Sequence, residues 1–170
     1  MQSTTLRLYT LAYSEVKTYL VAALFILGNM VLPQLVHTIP NGGYIWLPIY
    51  LFTLVGAYKY GWKVGLLTAI ASPVINSWLF GMPPLHALPA ILMKSVLLAS
   101  LAGIAANRFK RATLWMLATV VLSYQIIGTL GEWAMKGDFY LAVQDFRVGI
   151  PGMLLQIFGG WLIINRLIRK

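Results

Sequence analysis

The sequence predicts an all-α integral membrane protein with six transmembrane helices and both termini in the cytoplasm. Three observations carry that prediction. Hydrophobic residues make up 59% of the chain and charged residues only 10%, with a mean hydropathy of +0.77, more apolar surface than a soluble domain of 170 residues can bury. The apolar runs recur along the whole length, which neither a secretory signal peptide nor a single anchor produces. The basic residues gather at the ends of those runs, where membrane topology places them, so the net charge of +9 does not point to nucleic acid.

Residues 1–17 are polar to mixed, and residues 6–13 are expected to form a short interfacial helix. The first span covers residues 18–39, and Pro33 is expected to kink or end its regular part by deleting a backbone donor. The uncharged loop Pro40-Asn41-Gly42-Gly43 follows. The second span, 44–58, has 15 residues, short of the roughly 20 that cross the hydrocarbon core perpendicularly. It is expected to borrow length from its flanks or to sit in a thinned bilayer. Span three covers 61–80 and contains Pro73, and Gly81-Met82-Pro83-Pro84 makes a second stiff, uncharged turn. Span four, 86–106, ends in the basic cluster 107–111. Span five covers 113–135, the polar connection 136–147 follows, and span six covers 148–164 before a basic tail. The whole of 1–170 reads as one domain.

Topology follows from the lysines and arginines. With the N-terminus inside, Arg7, Lys17, Lys59, Lys63, Arg108, Lys110, Arg111, Arg166, Arg169 and Lys170, ten of thirteen, fall on the cytoplasmic side. Lys136 and Arg147 fall outside, and Lys94 lies within a span. Both Gly/Pro loops and the 136–147 connection then share the outer side.

Small and polar residues recur at helical spacing in several spans. Span three places Gly61, Gly65, Thr68, Ser72 and Asn76 on one face, and span six places Gly149, Gly152, Gln156 and Gly159. In the cytoplasmic halves these read as packing seams. Toward the outer side, span five carries Gln125, Gly128 and Glu132 on one face with Trp133 beside them. Asn76 and Trp78 lie near the outer end of span three, and Asn29, Gln34 and His37 near that of span one. Lys94 is the most informative residue, because an ionisable group inside a span is costly and usually faces the bundle interior or a wet cavity. It sits about 12 Å below the outer end of its helix at 1.5 Å per residue. Its ammonium is expected to meet Glu132 or an anionic ligand, the plainer alternatives being snorkelling to the interface or a structural ion pair. Trp78 and Trp133 serve equally as an interfacial belt, and His37 and His86 read more simply as loop or capping residues than as metal ligands.

Enzymatic chemistry finds little to work with. The chain has no cysteine and four acidic residues, Glu15, Glu132, Asp138 and Asp145, none paired as a metal-dependent transferase requires. No zinc-protease, serine-hydrolase or phosphate-cradling motif is present. Any ATP chemistry driving transport must come from another chain.

The run LPIYLFTLVGAYKYGWKVGLLTAIASPVINSWLFGMPP, followed by PAILMKSVLLASLAGIAANRF, resembles the substrate-binding S components of energy-coupling factor (ECF) vitamin transporters, over residues 39–109. The resemblance implies a small six-helix protein of the bacterial cytoplasmic membrane that captures a vitamin or cofactor precursor from outside, in a pocket built from the outer helix ends and capped by outer loops. It also implies partners: a transmembrane coupling subunit and two cytoplasmic ATPases, with no cofactor on this chain. One departure from the family stands out. The Ala-x-x-x-Ala pattern that often serves docking in the first helix is absent, since Ala22 and Ala23 are followed at that spacing by Ile26 and Leu27.

The expected substrate contacts are therefore His37, Asn76, Lys94, Gln125, Glu132 and Arg147, with Trp78 and Trp133 as stacking surfaces. Lys94 and Arg147 suit a carboxylate or phosphate, Glu132 suits a cationic ring, and a zwitterion or an amide-rich molecule can use both. The competing reading is a non-transport membrane scaffold, such as a cell-shape or assembly factor, with a purely structural outer cluster.

Overall fold

A computed structural model describes residues 8–167. Among these the regular secondary structure is all helical, and four helices are long and apolar enough to cross a membrane: α1 (Val16–Val36), α4 (Trp62–Phe80), α5 (Leu88–Phe109) and α6 (Leu114–Lys136). Between α1 and α4 lie α2 (Gly42–Trp46), a 3-10 turn (Pro48–Tyr50) and α3 (Leu51–Tyr60). After α6 come three short helices, α7 (Phe139–Ala142), α8 (Gln144–Val148) and α9 (Ile150–Leu154). The helical path of α9 runs on through a π-helical stretch (Leu155–Gly159), α10 (Gly160–Leu162) and a second π-helical stretch (Ile163–Leu167).

The expected second span is thus the one most changed by the structure. Leu47 takes a left-handed backbone (φ 44°, ψ 48°) that breaks it into α2 and α3. The 10-residue α3 is buried on all sides, with Leu54, Val55, Ala57 and Tyr58 fully enclosed by α1, α4, α5 and the last helix. Irregular backbone and short length are tolerable there because protein, and not lipid, surrounds it.

Pro33 does not end the first helix, which runs on to Val36. The proline removes the N–H that would reach the Asn29 carbonyl, and the Asn76 amide of α4 donates to that carbonyl instead, at 3.0 Å. Asn29 also ties α1 to two other helices, donating to Thr53 (3.1 Å) and Ser72 (3.2 Å) and accepting from the Phe52 backbone (3.3 Å). Its seam, Thr18, Ala22, Phe25, Asn29 and Pro33, is buried at helical spacing, while Leu20, Leu24, Leu27, Val31 and Leu35 face outward. The small residues of α4 do form a packing seam: a Cβ on Gly65 would lie 2.3 Å from that of Ala57, so α3 and α4 approach as only glycine permits.

The described part of the expected N-terminal helix, from Leu8 to Tyr13, is not helical; residues 6 and 7 lie outside the described residues. The segment hydrogen-bonds along the end of α3, Tyr9 N–H to the Lys59 carbonyl at 2.9 Å and Leu11 N–H to that of Tyr60 at 3.3 Å. These carbonyls have no partner within their own helix, so the segment serves as its cap. Lys59, placed by the sequence among the cytoplasmic charges, is wholly buried beside the Tyr9 ring. At this same end Tyr58 donates to the Arg111 carbonyl (2.7 Å) and Asn165 to that of Ala112 (3.2 Å), which gathers the 60–62 turn, the 109–114 link and the C-terminal helix. The Gly/Pro loops and the 137–149 segment gather at the other.

Candidate functional site

At that opposite end lies a cavity of about 890 Å³. Five parts of the chain frame it: the end of α1 with α2, the 3-10 turn, the 81–87 link after α4, the first turns of α5, and the last turn of α6 with α7 and α8. The walls are apolar and ring-rich, from Tyr44, Leu47, Pro48, Tyr50 and Ile91. Behind these walls a Cβ on Gly152 would lie 2.4 Å from the Trp46 carbonyl carbon, so α9 rests directly on the α2 backbone.

Charge in the cavity comes as one connected run. Lys94 Nζ, with 3% of its side chain exposed, lies 2.6 Å from Glu132 Oε2 and 2.8 Å from Asp145 Oδ2. Lys136 Nζ completes the run at 2.6 Å from Glu132 Oε1, one helical turn along α6. Three elements therefore meet at one ammonium: α5 supplies it, α6 and α8 supply the carboxylates. Close approach is again enabled by a missing side chain, since a Cβ on Gly128 would meet Lys94 Cγ at 2.6 Å. Each ion has its partner, as charges this deeply buried require.

Asn76 borders the cavity at 1% exposure. Both hydrogens of its amide are taken, by the Asn29 carbonyl (3.0 Å) and the Ser72 carbonyl (2.9 Å). Its Oδ1 is buried and accepts from no protein group.

Of the eight residues the sequence singles out, the structure brings His37, Asn76, Lys94 and Glu132 to the cavity and leaves the other four away from it. Gln125 shares the Glu132 face of α6 but lies about two turns deeper, fully buried in the bundle. Trp78 turns outward and is 82% exposed. Trp133 packs edge-on against Phe139, ring centres 5.3 Å apart, on the outside of α6. Arg147 lays its guanidinium over the Tyr140 ring at 3.7 Å, away from the cavity. Helix rotation decides the two tryptophans, since each residue step turns the side chain by some 100°, and depth decides Gln125.

Asp145 is the residue the sequence missed. It reads there as one charge in a polar connection, yet α8 carries it onto Lys94. The acidic residue nearest a buried lysine in sequence was the available signal, and it pointed to Glu132 alone. Tyr44 and His86, the latter read as a loop or capping residue, also line the cavity. Among the described residues no group of three His, Asp or Glu is arranged to hold a metal. The chain matches no protein-family model, no curated protein and no solved structure.

Proposed function

We propose that this chain is the substrate-binding S component of an ECF-type importer, capturing a vitamin or other small water-soluble cofactor precursor at the outer face of a bacterial cytoplasmic membrane. The observation that carries the reading is the cavity: about 890 Å³, within the roughly 300–1,000 Å³ usual for small-molecule sites, with charged and amide groups converging from separate helices. In this reading α3 and the helical path from Ile150 to Leu167 complete six crossings with the four long helices. In the same reading the end opposite the cavity, and both termini, face the cytoplasm, which the distribution of basic residues in the sequence supports. Transport then needs a membrane coupling subunit and two ATPases on other chains, since nothing in this sequence offers phosphate chemistry. Ala22 is buried in the bundle while Ala23 is exposed, so of that pair only Ala23 is open to such a subunit.

Native mass spectrometry of the full chain purified from its host tests the proposal. One retained small molecule per chain is expected, together with recovery of an ATPase pair and a coupling subunit from gently solubilised membranes. Lys94→Ala and Glu132→Ala should each lose the molecule while remaining folded. Retention at wild-type level in both variants, or recovery of cell-wall machinery in place of ATPases, would overturn it.

A further inference from the structure

We propose that the cavity selects a molecule with no net charge that donates a hydrogen bond to Asn76. The inference rests on the capture reading and narrows it to a ligand class. The four charged groups of the run cancel, Lys94 and Lys136 against Glu132 and Asp145, and all four border the cavity. An anion at Lys94 would sit beside Glu132 and Asp145, and a cation at Glu132 would sit beside Lys94 and Lys136, so either meets like charge at close quarters. Arg147, the further cation of the 137–149 segment, is spent on Tyr140 outside the cavity, and His37 and His86 stand at its exposed rim.

Asn76 adds polarity of a definite sense. Its amide hydrogens are committed to two carbonyls on different helices, so flipping the side chain would face oxygen against oxygen. Its Oδ1 is a buried acceptor to which no protein group donates, and a buried acceptor is stabilised by an N–H or O–H that reaches it. The tyrosine and proline walls suit the flat body of a ring. The ligand class is therefore an uncharged ring compound bearing an N–H or O–H at the end that enters toward α4.

The probe is yeast extract separated at pH 7 by anion and cation exchange into neutral, anionic and cationic small-molecule fractions. Each is added to the purified full chain in detergent and the melting temperature is followed. The neutral fraction alone is expected to raise it, by about 3 °C or more. Asp145→Asn leaves one positive charge in excess and should gain a shift from the anionic fraction. Lys136→Met leaves one negative charge in excess and should gain a shift from the cationic fraction, and either charge variant suffices should the other fail to fold. Asn76→Leu, judged on protein with a cooperative melt, should lose the neutral shift. An anionic or cationic fraction that stabilises the wild type as strongly as the neutral one overturns the charge inference and leaves capture standing. A neutral shift that survives Asn76→Leu overturns the hydrogen bond. No shift from any fraction overturns capture and the inference together.

Discussion

Replacing Lys94 by methionine keeps the length and apolar stem of the side chain and deletes the charge that joins α5, α6 and α8. At the 2.8 Å separation from Asp145, one ion pair at an effective dielectric of 20 is worth roughly 6 kcal/mol before desolvation. Most of that is offset by taking the ions out of water, but the variant regains none of the offset: two carboxylates are left behind with side chains only 11% and 13% exposed. Removing one partner of a buried pair usually costs about 3–5 kcal/mol. Lys136 still neutralises Glu132, and Asp145 sits on a short peripheral helix that can swing away, so the expected loss is about 2–3 kcal/mol. That loss falls first on the 137–149 segment. Hydrogen exchange should show faster exchange there with little change in α4, and thermal melting in detergent should give the total. Adding Asp145→Asn removes the stranded charge and should recover about 1–2 kcal/mol, measured as a double-mutant cycle. Lys136→Met supplies the contrast: its side chain is 29% exposed, so its pair with Glu132 should cost only about 0.5 kcal/mol. Equal losses for Lys94→Met and Lys136→Met, or no coupling between Lys94 and Asp145, would refute the connected-run description.

Three further outcomes test the packing and backbone of the helix bundle. Gly65→Val should destabilise the bundle by about 3 kcal/mol or more, because the Ala57 Cβ and Cα, 2.3 and 2.7 Å from where a Cβ would stand, cannot move apart from their helix. Asn29→Leu should cost about 2 kcal/mol, read by thermal melting, since it leaves the Phe52 amide, Thr53 and Ser72 without their partner. Lys110→Gly should stabilise by about 0.5–1 kcal/mol, because Lys110 ends α5 in the left-handed region at φ 53° and is exposed, so glycine relieves the backbone at no packing loss.

Much of the molecule was legible in its amino acids because its causes are local. Helix ends follow turn chemistry: Gly81 and Gly137 adopt φ 66° and 70° just where the apolar runs stop, and Thr113 caps the start of α6 by accepting from Met116 N–H. The depth of Lys94 and its meeting with Glu132 follow from counting residues at a fixed rise along two neighbouring helices. Asn29 and Asn76 were readable as polar residues near one end, though not as the brace that lets α1 run through Pro33.

What tertiary structure alone decided is rotation, enclosure and the path of the polar connection. Trp78 sits on a helix whose ends were placed correctly, but its distance from the cavity depends on how neighbours turn that helix about its axis, and the flat amphipathic pattern of the helix does not announce it; Gln125, on the Glu132 face, is kept away by its depth. The break at Leu47 depends on the enclosure of α3, since buried backbone can bend where lipid-facing backbone cannot. Asp145 reaches Lys94 because residues 138–149 fold into short helices over the cavity mouth, a path set by contacts between segments 51 residues apart. Composition and spacing carry the energy of single elements against water or lipid; the partner of a buried charge is settled only when separate elements compete to satisfy it.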